Sequence, residues 1–77
     1  MYYIWDSRSE TKADQMRSYI EAKDYLEHYL DHLTLDGARI REQMAYQDEV
    51  PKGWSPVYQV TLDGNVYELQ IRTIPGT

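Results

Sequence analysis

Cysteine and phenylalanine are absent from this chain, glycine occurs four times and proline three times. Without cysteine there is no disulfide to supplement the thin stability margin of a small domain, and no thiol nucleophile. That absence is neutral on compartment. The glycines are scattered at turns, so no glycine-rich phosphate loop exists. No apolar run approaches transmembrane length, and the opening MYYIWD lacks the basic flank and long apolar stretch of a signal peptide. A cytoplasmic chain with no membrane partner is the expectation. Bases are scarce too. Eight Lys and Arg against thirteen Asp and Glu give a net charge of −5 with histidine neutral. That balance disfavours a nonspecific nucleic-acid binder, whose affinity comes from basic residues displacing counterions.

Seventy-seven residues make one small domain with room for one core. Eight tyrosines and two tryptophans supply its aromatics. Tyrosine tolerates a half-wet position and is enriched at interfaces, so these rings either edge a small core or await a partner.

The chain is organised around Ser18 to Gly37, SYIEAKDYLEHYLDHLTLDG. Ser18 with Glu21 reads as a capping box, and Asp36-Gly37 as a stop in which glycine takes the left-handed conformation. Tyr19, Ala22, Leu26, Tyr29, Leu30 and Leu33 recur at helical spacing and occupy one stripe of roughly 100°. Tyr25 flanks the stripe and Ile20 sits off it. The opposite face carries Glu21, Asp24, Glu27, His28 and Asp31. Asp31 opposes the helix dipole, and Lys23 with Glu27 is the one good i,i+4 couple, in its weaker orientation. Such a face is either ordinary solvated surface or a surface with another purpose.

Tyr2 to Asp6 reads as a strand in which both alternating sets are apolar, so the face turned to the helix stays open. Ser7 to Glu10 is a turn. Thr11 to Met16 is read as a second strand, with an early helix as the alternative. Ala38 to Tyr46 alternates, with Ala38, Ile40, Met44 and Tyr46 on one side and Arg39, Arg41 and Gln43 on the other. Glu42 is an exception on the apolar side. Asp48 to Pro56 is a loop with a turn at Pro51. Val57–Leu62 and Val66–Ile71 flank Asp63-Gly64, a preferred pair for a two-residue hairpin turn. Pairing Leu62 with Asn65 brings Val60 to Tyr67 and Tyr58 to Leu69, which places the large apolar residues on one face. Gln59, Thr61, Glu68, Gln70 and Arg72 fall on the other. Ile74 to Thr77 is a tail, flexible over residues 75–77. The expected fold is α+β, in the order ββαβββ, one helix covering one face of an antiparallel sheet. Acids would then lie outside the helix, and Arg39, Arg41 and Arg72 on the open sheet face.

Chemistry finds little support. His28 and His32 stand four apart on the helix, a metal-sharing spacing, but with no third strong ligand and no HExxH; no metal and no cofactor is expected. No serine sits in a nucleophile-elbow context, and paired carboxylates on a convex helix form no cleft, so the chain is not read as an enzyme. Trp54, in a proline-stiffened loop, either anchors a partner or lids the core.

The favoured expectation is a small acidic protein-binding module. Glu21, Asp24, Glu27 and Asp31, with Trp54, would dock on a protein with a basic surface. Basic surfaces commonly belong to nucleic-acid-handling proteins, so its specific form would be an inhibitor of the kind phages make against host defences. Two readings compete: a nucleic-acid binder using Arg39, Arg41 and Arg72, and a homo-oligomer, such as a homodimer, joined through tyrosines.

Overall fold

The computed structural model describes residues 1–9, 15–43 and 56–74. Extended Ser18 (φ −126°, ψ 155°) accepts a hydrogen bond from the Glu21 amide at 3.1 Å, and helix α1 runs Tyr19–Leu35 behind that cap. At the other end Gly37 takes φ +97°. Its amide donates to Thr34 O, and the Ala38 amide donates to Leu33 O at 2.9 Å. This paired closure satisfies carbonyls the last helical turn would otherwise leave bare, and it needs a left-handed residue at Gly37. Buried Ala38 then lies beside half-buried Leu33 as the helix leaves for the sheet.

The remaining elements are strands β1 (Tyr2–Asp6), β2 (Arg39–Gln43), β3 (Val57–Leu62) and β4 (Asn65–Thr73). They form one antiparallel sheet in the order β1-β4-β3-β2. The β3–β4 turn has positive φ at both Asp63 (51°) and Gly64 (81°), the pattern of a type I′ turn. Its register is the expected one: Leu62 opposite Asn65, Val60 opposite Tyr67, Tyr58 opposite Leu69.

That register fixes the core. Val60, Tyr67, Leu69 and Ile71 pack with Ala22, Leu26 and Leu30 of α1, while Tyr19, Tyr29 and Leu33 pack half-buried at the stripe's margins. All six stripe positions therefore face inward. The pairing of Ile4 with Ile71 settles β1, because cross-strand partners share a face. Tyr2 and Ile4 turn to the helix, and the Tyr2 ring meets Tyr19 edge-on at 6.0 Å.

The described elements run βαβββ, one helix on a four-stranded sheet. The further strand expected over Thr11 to Met16 lies outside the described residues at positions 11–14. Its described end, Met16, exchanges both backbone hydrogen bonds with Tyr2 at 2.7 Å in an isolated bridge. Residues 15–18 are not helical, so α1 begins at Tyr19 and does not run back through Met16. Ile74 corrects the expected tail: its amide donates to Met1 O at 3.1 Å, continuing the β1–β4 edge. The extension of β2 to Tyr46, residues 48–55 of the loop with Trp54, and the tail at 75–77 lie outside the described residues.

Leu26→Ala removes the most central buried side chain of the stripe and should lower stability by about 2–5 kcal/mol in urea denaturation. Gly37→Ala should cost about 1–2 kcal/mol through the left-handed φ alone, since a Cβ there meets no neighbour within 4 Å. A Leu26→Ala chain melting within a degree of the parent would mean the stripe is not the core.

Candidate functional site

Two surfaces carry the charges that sequence reasoning singled out. On the helix, Glu21, Asp24, Glu27 and Asp31 are all exposed, on the side opposite the buried stripe. None forms a salt bridge to another described residue; Lys23 and Glu27 stay unbridged despite their i,i+4 spacing. His28 and His32 are exposed as well, and the His28 Nδ1 lies 2.8 Å from Asp24 O. Among the described residues no three histidines and carboxylates gather where they could share a metal ion. Ile20 (74% exposed) and Leu35 (83% exposed) stand near the two ends of the helix. At 100° per residue both fall among the acids rather than beside the stripe. The outward face is thus a line of carboxylates bracketed by two bare aliphatic side chains.

The arginines do not form one patch. Arg39 and Arg41 are exposed, facing away from the helix on the edge strand β2, opposite Thr61 and Gln59 of β3. The same cross-sheet row continues through Gln59 to Glu68, which sets an acid about 10 Å from Arg41, two strand spacings away. Arg72 stands on β4 toward the far end, with its guanidinium 3.8 Å from the Trp5 ring centre and its Nε donating to Gln70 Oε1 at 3.0 Å. Nor is that end of the sheet open. Tyr3 (8% exposed), Val57 (4%) and Gln70 (1%) are buried there, against the expectation of a solvated polar face.

A further arginine organises the helix side of the sheet, and sequence reasoning missed it. The Arg8 backbone amide and Nε donate to Asp6 Oδ1 at 2.9 and 3.1 Å, and Nη2 donates to Oδ2 at 2.8 Å. So held, the guanidinium lies 3.4 Å from the centre of the Tyr67 ring, which is 3% exposed. Ser7 continues the sheet past β1, its amide donating to Glu68 O and its Oγ accepting from the Glu68 amide. The turn therefore places a cation over the edge of the core. The Asp6-x-Arg8 spacing is its sequence signal, but its target ring lies far along the chain.

The seam between α1 and the sheet opens into a cleft of about 160 Å³. Buried Leu26 and Ile71 form its base and half-buried Tyr19 and Tyr58 its walls. Exposed Lys23, Glu27 and Glu42 stand at its rim. Glu42 is there because β2 turns Ile40 and Glu42 to the helix side, where Glu42 is the cross-strand partner of Tyr58. Burial, and then the charges of Glu42 and Glu27 with Tyr19 nearby, push the Tyr58 phenol above its ordinary range. At about 160 Å³ the cleft is smaller than the ~300 Å³ where small-molecule sites begin.

No helix of the described residues is long and apolar enough to cross a membrane. Fold and surface define a small α+β domain with an acidic helix on one side of an antiparallel sheet. Compared with protein-family models, curated proteins and solved structures, the chain matches none.

The Arg8 bonds hold the Asp6 carboxyl below the usual carboxylate range, the side-chain bond being the largest cause. A carboxyl lowered on folding stabilises above its unfolded pKa, and that stability is lost as pH falls through the folded value. Asp6→Asn should therefore flatten the acid limb of the melting curve below about pH 4 and lower Tm at neutral pH. Parallel acid limbs in parent and variant would show that the pair adds no pH-dependent stability.

Proposed function

We propose that this protein is a non-enzymatic binding module that docks the outer face of α1 on a basic protein surface. The supporting observation is the line of Glu21, Asp24, Glu27 and Asp31, exposed, unbridged to any described residue and bracketed by bare Ile20 and Leu35. A helix arranged for its own stability would place bases late and pair its acids. This one holds Asp31 near its C-terminal end and leaves the acids for outside charge. The exposed aliphatics give a partner apolar surface to bury at both ends, while the carboxylates steer the approach.

Nucleic-acid-handling proteins are the partners such a face suits, because their grooves are basic and elongated. From Glu21 to Asp31 the acids span about 15 Å at ~1.5 Å per residue, a sparser line than the charge every ~1.7 Å of duplex DNA. The module would act as an inhibitor by partial charge mimicry and by steric blocking, in the manner of small phage anti-defence proteins. Direct nucleic-acid binding through Arg39, Arg41 and Arg72 has weaker support, given the separation of Arg72 and the acid in the Arg41 row.

Asp24→Lys with Asp31→Lys tests the reading. Both side chains are exposed, so the melt should hold or rise, because a lysine in place of Asp31 complements the helix dipole. Association with the protein captured from source-cell extract should slow on the order of tenfold at low salt, and the parent's association should weaken as salt rises. Unchanged association with a normal melt would exclude the helix face. Strong retention on heparin would favour nucleic-acid binding instead.

A further inference from the structure

We propose that the cleft between α1 and the β2–β3 edge is a receptor for one arginine or lysine side chain of the partner protein. This rests on the docking reading and extends it from a charged face to a defined contact.

The cleft is built where α1 meets the sheet, and the two sides supply complementary halves. Tyr19, Lys23 and Glu27 follow one another at four-residue intervals along the margin of α1, between its buried stripe and its outer face. Tyr58 and Glu42 come from adjacent strands as a cross-strand pair on the helix side. Their meeting brings two carboxylates from separate elements to one rim, over tyrosine walls and an aliphatic base. Both carboxylates raise the cost of ionising Tyr58, so both act on the space the ring borders. A cation seated there is attracted by each of them. The alkyl stem of an arginine or lysine suits the aliphatic base, and its charged head suits carboxylates and ring faces. The volume fits a single side chain, and Glu27 joins the cleft to the acidic line of the outer face.

Lys23 bears on the chemistry in a way that makes the assignment testable. It stands at the same rim with a charge of the sign the cleft would take, and it forms no salt bridge with Glu27 or any other described residue. It therefore opposes an incoming cation. Removing Glu42 and removing Lys23 must shift affinity in opposite directions, which a merely structural role for either residue would not produce.

The probe is Nα-acetyl-arginine amide, titrated into the full chain and followed by backbone and tyrosine-ring NMR shifts. Saturable shifts at Tyr19, Glu27, Glu42 and Tyr58 are expected. Glu42→Gln should weaken binding about fivefold and Lys23→Gln strengthen it about two- to threefold, the scale of exposed charge pairs. Both side chains are exposed, so the variants should melt with the parent. Shifts that never saturate, that spread along Asp24 and Asp31, or that ignore both substitutions would overturn the proposal. The docking reading is tested at Asp24 and Asp31, which do not line the cleft, so the two fail separately. Loss of partner association in the double-lysine variant, with no saturable cleft shifts in the parent, overturns the cleft alone.

Discussion

The contact on which the rest depends is the seating of Ala22, Leu26 and Leu30 on the face formed by Val60, Leu69 and Ile71. It fixes the rotation of α1 about its own axis. Once those side chains point inward, the 100° advance per residue leaves Glu21, Asp24, Glu27 and Asp31 no inward position. The caps set the length of the element and so the extent of the line. Ser18 starts it by satisfying the Glu21 amide, and Gly37 ends it by reversing the backbone where another residue would be strained. Packing thus determines which charges meet solvent.

Around that contact the molecule edges its core with tyrosine. Tyr2, Tyr19, Tyr29 and Tyr58 are half-buried and packed against the core cluster, where a phenylalanine would leave apolar ring exposed. Tyr67 is buried and is covered by the Arg8 guanidinium instead. Charge is placed unevenly over this frame. Asp6 and Arg8 satisfy each other at the sheet edge, whereas the helix acids have no such partners among the described residues. The Asp6–Arg8 ion pair thus lies beside the core ring Tyr67, while the acids on the outer face of α1 stay unbridged among the described residues.

Much of this was legible in the sequence because the signals are local. The stripe needs only a 3.6-residue period, and the hairpin register follows from period two about Asp63-Gly64. The features that were not legible depend on contacts between distant segments. Both alternating sets of β1 are apolar, so Tyr2 and Ile4 could be assigned inward only from their pairing with β4. Arg8 lies over Tyr67, a pairing that no pattern near Arg8 announces. Glu42 did leave a trace, as the one acid in the apolar set of β2, but its meaning required Tyr58 opposite and Glu27 across the seam. The burial of Gln70, on the side away from the helix, ran against the polar pattern that the alternation of β4 suggested. Arg39, Arg41 and Arg72 share a face by parity alone; strand order sets Arg72 on β4 apart from the pair on β2.

The docking claim is tested most directly by labelling carboxylates with a carbodiimide and an amine, in the free protein and in its complex with the captured partner. Peptide mass spectrometry then reads protection residue by residue. Docking through α1 predicts that Glu21, Asp24, Glu27 and Asp31 lose reactivity in the complex, while exposed Asp63 at the hairpin turn labels as in the free chain. Full reactivity of the helix acids in the complex, with protection confined to Asp63 or Glu68, would contradict it.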